Sequence, residues 1–124
     1  MNIPRRPLTP EEFEWVRAFV LSNPQWADVQ IPELYVTAEC TCGCRSVVLE
    51  EPPIAQNPRL VGHQGLVGRM SLAIRFDGRD DVVSVLLHYA EGSLSLLEVV
   101  WFNFPEPVPR SWVEMDRSTN SGHN

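Results

Sequence analysis

The sequence predicts an α+β domain, in which an N-terminal helix packs on one face of a meandering antiparallel sheet of about five strands. Three observations lead to this prediction. One capped segment with helical periodicity lies near the N-terminus, extended segments with a period of two follow from about residue 33, and acidic-glycine pairs separate them. The 124 residues suit a single domain over 1–116, and the polar end of the chain predicts a disordered tail over 117–124.

The helix is predicted over residues 10–21. Thr9-Pro10-Glu11-Glu12 has the form of a capping box, in which Thr9 is the N-cap and Glu12 reaches back to the amide of the cap. Asn23-Pro24 ends the helix, because the residue before a proline is pushed out of the helical region. The stripe expected to face the sheet consists of Phe13, Val16, Phe19 and Val20.

The strands are separated by recognisable turns. Asp77-Gly78 and Glu91-Gly92 are acidic-glycine pairs of the kind favoured in tight hairpins. The prolines at 105, 107 and 109 end strand pairing and set an extended path to Trp112. The strands themselves are predicted over residues 34–38, 46–50, 66–76, 82–90 and 94–102.

The hairpin over residues 82–102 is apolar on both faces. With Glu91 and Gly92 as turn residues, Tyr89 faces Leu94, and the core face then includes Glu98. A carboxylate there indicates either a slipped register or a buried pair, for instance with Arg75. The second face carries Val82, Leu86, Leu97, Val99 and Trp101. We expect that face to be covered by the tail with Trp112, by a protein partner or by a second copy in a homodimer.

All three cysteines, Cys40, Cys42 and Cys44, lie within five residues. Thiolates at this spacing suit zinc or copper(I), although a fourth ligand such as His63 or His88 is not indicated by its spacing. A two-residue turn at Cys42-Gly43 would pair Cys40 with Arg45 and send Cys40 and Cys44 to opposite faces. A three-residue turn over 42–44 would return both to the side of Ser46. Because the ligand set is incomplete, we expect no cofactor and interpret Cys40 and Cys44 as small buried side chains at a tight hairpin, with zinc or copper(I) binding as the alternative.

The composition and the motifs exclude several classes of function. A net charge of -6 argues against nucleic acid, and no apolar run has the length of a membrane helix. No catalytic motif is present, so no catalytic residue is predicted. The long connection over residues 51–65 is either a binding loop, with Arg59 and His63 as its polar contacts, or a mobile insertion. An odd number of cysteines is typical of a cytoplasmic protein.

Two segments carry a resemblance. Cys40-Thr-Cys42-Gly43-Cys44, and the closing Leu97-Glu98-Val99 strand, resemble small bacterial proteins of high-GC, actinobacterial type that have no established activity. The resemblance implies the layout and a bacterial cytoplasmic setting, and no functional residue is carried over from it. Our first hypothesis is a non-enzymatic protein-interaction module of the immunity or accessory type. A thiolate metal site at the cysteines is the second, and a small thiol enzyme is the third.

Overall fold

The computed structural model describes residues 2–28, 34–40, 45–50, 57–101 and 112–121, with the side chains of 118–121 left out. Over these ranges the chain forms one α-helix and a seven-stranded antiparallel sheet, which agrees with the α+β class, whereas the expectation of about five strands is wrong. The strand order in the sheet is β1-β2-β3-β6-β5-β4-β7. The elements are β1 Asn2–Pro7, α1 Pro10–Ser22, β2 Tyr35–Glu39, β3 Val47–Glu50, a short 3-10 helix Pro58–Leu60, β4 Gln64–Phe76, β5 Arg79–Ala90, β6 Ser93–Trp101 and β7 Val113–Ser121.

The two strands that the sequence does not predict are the edges of the sheet. β1 contains Pro4 and Pro7, which an edge strand tolerates because one side of its backbone has no ladder partner. β7 pairs with β4 from Val113 to Ser121. The sequence predicts disorder over 117–124, but this pairing extends as far as Ser121, and residues 122–124 lie outside the described part of the chain.

Helix α1 begins with the predicted capping box. The Thr9 hydroxyl accepts a hydrogen bond from the Glu12 amide, and the Glu12 carboxylate accepts one from the Thr9 amide at 2.9 Å. The buried side chains of the helix are Trp15, Val16, Phe19 and Val20, together with Glu12. Phe13 was expected in this stripe but is 43% exposed, because Trp15 faces the sheet instead. Among the described elements, no helix has the length and apolarity needed to cross a membrane.

The sheet has an inner face, which α1 covers, and an opposite outer face. Strict alternation in β4 confirms the prediction for this strand, since Met70 and Leu72 are buried while Arg69 and Ser71 are exposed. The same alternation continues across the central strands. The buried inner-face residues of β5 and β6 are Val83, Val85, Leu87, Leu94, Leu97, Val99 and Trp101.

A β-bulge in the last hairpin reverses the predicted faces of β6. Glu91 and Gly92 do form the turn, with left-handed φ angles of 55° and 74°, and Tyr89 does face Leu94. His88 then faces Leu96, so Ser95 is an extra residue and the rest of β6 changes sides.

The bulge explains the position of Glu98. Of the two explanations considered for a carboxylate on the core face, the slipped register is correct, because Glu98 pairs alongside Leu86 on the outer face. Arg75 is not its partner, since the Arg75 guanidinium binds Asp80 at 2.8 Å. Consequently Leu97, Val99 and Trp101, which the sequence assigned to the second face, are core residues.

Candidate functional site

The outer face of β3, β6, β5 and β4 is an apolar surface with few charges. The strand registers arrange its side chains in rows that cross the sheet. The row that we call the leucine row holds Leu66, His88, Leu96, Val48 and Ala38. The next row, which we call the charged row, holds Arg69, Leu86 and Glu98. Beyond it lie Ser71, Ser84 and Val100, and then Ala73 and Val82.

The exposure of these side chains makes the face available for contact. Val48 and Val82 are 42% and 43% exposed, and Leu86, Leu96 and Val100 are half-buried. Two shallow depressions of about 460 Å³ and 420 Å³ adjoin at Leu96, which lines both of them. Apolar side chains that adjoin across several strands form a patch, unlike single exposed residues, and a patch of this kind is typical of an interaction surface.

A polar pair lies at the centre of this face. The Nε2 atom of His88 lies 2.8 Å from Oε1 of Glu98, across the boundary between the leucine row and the charged row. The two side chains are 31% and 39% exposed. A half-exposed pair of this kind contributes little to stability, so its geometry matters more for what the face can recognise.

Trp112 does not cover the outer face as the sequence suggested. Its ring stacks on Trp15 on the inner side, with the ring centroids 5.9 Å apart and an interplanar angle of 17°. The Arg45 guanidinium lies over the same ring, 3.9 Å from its centroid. Trp112, directly before β7, therefore packs against the helix, and residues 102–111 lie outside the described part of the chain.

Only the first cysteine of the cluster lies within the described residues. Cys40 is half-buried against the core, and its amide donates to the Ser46 carbonyl at 3.1 Å. This register excludes the pairing of Cys40 with Arg45 that a two-residue turn at Cys42-Gly43 would require. Cys42 and Cys44 lie outside the description. Over the described ranges, no group of three histidine, cysteine or acidic residues is arranged to hold a metal ion.

A polar cleft of about 190 Å³ lies between the start of α1 and the adjoining ends of β2 and β3. Arg6 extends across it and binds both oxygens of Glu12, at 2.9 Å and 3.1 Å, and one oxygen of Glu39 at 3.3 Å. The hydrogen bond to Glu12 is the main reason why the pKa of Arg6 is raised above its ordinary value. Arg45 forms an ion pair with Glu11. These contacts join β1, β2, α1 and Arg45, which lies just before β3, so the cleft has a structural role.

The suggested binding loop is ordered where the structure describes it, over residues 57–63. Glu91 binds this segment twice, since its amide donates to the His63 carbonyl at 2.8 Å and its carboxylate accepts from the Gly62 amide at 2.8 Å. Arg59 and His63 are exposed, and a binding role for them stays a prediction. Residues 51–56 lie outside the described ranges.

Comparison of the chain with protein-family models, with curated proteins and with solved structures found no match.

Proposed function

We propose that this chain is a non-enzymatic protein-interaction module, of the immunity or accessory type, that binds its partner through the outer face of β3, β6, β5 and β4. The observation that supports this most directly is the adjoining apolar surface of the leucine row and its neighbours, including Val48 and Val82 at 42% and 43% exposure. Because the net charge of the chain is -6, long-range electrostatics would attract basic partner surfaces and repel acidic ones.

The shape of the face favours a protein partner over a small molecule. Small-molecule sites enclose most of their ligand, whereas the two depressions on this face are shallow and open onto a flat sheet. An apolar centre that carries a few polar groups, here His88 and Glu98, is the usual composition of a protein interface.

A site-specific photo-crosslinker tests the proposal. The crosslinking amino acid is placed at Val82 on the outer face, and in a matched variant at Leu21, which is 61% exposed on the helix. In cells of the source organism we expect one discrete protein adduct from Val82 and none from Leu21. Equal labelling from both positions, or no adduct from Val82, would refute an interaction through this face.

The metal site and the thiol enzyme are predictions from the sequence alone. A thiolate site for zinc or copper(I) would need Cys42 and Cys44 beside Cys40, and these two lie outside the described residues. A thiol enzyme would need one cysteine with a lowered pKa. The bacterial and cytoplasmic setting is likewise a prediction. Measuring metal content on protein purified without an affinity tag would test the metal site, since absence of stoichiometric metal would dismiss it.

A further inference from the structure

The charged row has a symmetric arrangement about strand β5. Arg69 on β4 pairs with Leu86 on β5, and Leu86 pairs with Glu98 on β6. Neighbouring strands are about 4.8 Å apart, so the backbones at Arg69 and Glu98 lie about 10 Å from each other on opposite sides of Leu86. A cation and an anion therefore flank one central leucine at equal distances.

Both charges retain unused binding capacity. Arg69 is exposed and forms no ion pair with any residue that the structure describes, whereas Arg75, three positions along the same face of β4, binds Asp80. Glu98 uses Oε1 for His88, and its Oε2 makes no hydrogen bond within the described ranges. The outer face thus presents a guanidinium and a carboxylate oxygen that a partner surface can satisfy.

We propose that the outer face binds a second copy of this chain, with a two-fold axis running along β5. This inference rests on the proposed function and names its partner. A half-turn about β5 places Leu86 against Leu86 of the second copy and exchanges the two sides of the sheet. Arg69 of each copy then faces Glu98 of the other, so the charge pattern is complementary to itself, as a two-fold interface requires.

The neighbouring rows fit the same operation. In the leucine row, Leu66 of one copy faces Leu96 of the other, and the two His88 rings meet near the axis, each bonded to its own Glu98. Sheets that pack face to face in this aligned way are about 10 Å apart. The combined side chains of an arginine and a glutamate span that gap.

The size of the contact sets the expected affinity. The three strands that face each other under this operation, β6, β5 and β4, lie about 4.8 Å apart, and each contributes about six residues that rise about 3.3 Å, so the contact is about 14 Å by 20 Å. This footprint is well below the about 800 Å² of accessible surface that a standard specific interface buries on each partner. We therefore expect a weak, reversible dimer with a dissociation constant in the high micromolar range.

Charge reversal tests the dimer by sedimentation equilibrium, with one chain of 14.1 kDa as the monomer. Arg69→Glu places like charges together at both symmetric contacts, and Glu98→Arg does the same. We expect each variant to weaken the dimer by about 100-fold or more. The control is Arg17→Glu, which makes the same change of charge as Arg69→Glu at an exposed position on the helix and should dimerise like the wild type.

Mixing the two single variants is the most specific test. In a mixed dimer the introduced glutamate faces the introduced arginine, while native Glu98 of the first variant faces native Arg69 of the second. Both contacts are attractive, so an equal mixture should recover the dimer that each variant alone has lost. If circular dichroism showed that a reversal variant does not fold, Arg69→Ala and Glu98→Gln would replace it, and each should weaken the dimer about tenfold.

Three results would overturn the proposed dimer: a wild type that stays monomeric up to about 1 mM, single variants that dimerise as tightly as the wild type, or a mixture that stays monomeric. The crosslinker at Val82 separates this failure from that of the proposed function. An adduct of two copies supports both the interaction face and the dimer. An adduct with a different protein supports the interaction face and refutes the dimer. No adduct refutes both.

Discussion

Replacing Glu12 with alanine should destabilise the fold by about 2–3 kcal/mol. The Glu12 side chain is 9% exposed and accepts three hydrogen bonds, from the Thr9 amide at 2.9 Å and from two Arg6 nitrogens at 2.9 Å and 3.1 Å. Loss of the bond to Thr9 costs about 0.5–1 kcal/mol, and loss of the charged bonds costs about 1.5–3 kcal/mol. The lower end of the range for charged bonds applies here, because the Arg6 side chain is 29% exposed and keeps its ion pair with Glu39 after Glu12 is removed.

The assay is urea unfolding, with Glu14→Ala as the control. Glu14 is exposed on the same helix, so the same substitution there corrects for the higher helix propensity of alanine and should change stability by less than about 0.5 kcal/mol. A double-mutant cycle with Arg6→Ala should give a coupling energy of about 1–2 kcal/mol. A coupling below about 0.5 kcal/mol, or equal losses at Glu12 and Glu14, would show that the Arg6–Glu12 contact does not stabilise the start of the helix.

Three further predictions follow from individual contacts. Gly78→Ala should cost about 1–2 kcal/mol in urea unfolding, from the backbone alone, because φ is +69° and nothing lies within 4 Å of an added Cβ; an unchanged midpoint would contradict this. The Arg75 guanidinium holds the pKa of Asp80 below its ordinary 3.8. The pair therefore stabilises the fold fully above pH 3.8, and its contribution is lost as the pH falls through the lowered pKa of Asp80. In an NMR titration, Arg75→Gln should raise the pKa of Asp80. Trp112→Ala should lower the free energy of unfolding by about 3–5 kcal/mol, because it removes a buried ring. The control Val113→Ala, at a site 64% exposed, should lower it by less than about 0.5 kcal/mol. Equal losses would show that the Trp112 ring does not anchor β7.

The parts of the fold that local chemistry determines were predictable from the sequence. The capping box at Thr9 and Glu12 identified the start of α1, and the alternation in β4 identified its buried face. The edge strands β1 and β7 were missed because their own sequences are poor in strand signals. β1 contains two prolines and the second half of β7 is polar, so both depend on pairing with a distant strand for their stability.

The sequence predicted a second apolar face on the hairpin of β5 and β6, but it placed the wrong β6 residues on that face. Leu94 and Leu96 follow a period of two, but Leu97 comes directly after Leu96. From Leu97 the apolar residues fall at odd-numbered positions, through Val99. That doublet is the signal of a bulge, because one extra residue moves every later side chain to the opposite face. Trp101 is a second sign of the bulge. A hairpin without the bulge would place this large side chain on the outer face, whereas in the structure it is buried against Phe76.

The bulge at Ser95 also connects the fold to the proposed function. Without the extra residue, Glu98 would enter the inner face, where its carboxylate would lose water among buried aliphatic side chains. With it, the carboxylate lies on the outer face beside His88 and in line with Arg69 across Leu86. One irregularity in the strand therefore keeps a carboxylate out of the core and creates the charge pattern on which the proposed dimer depends.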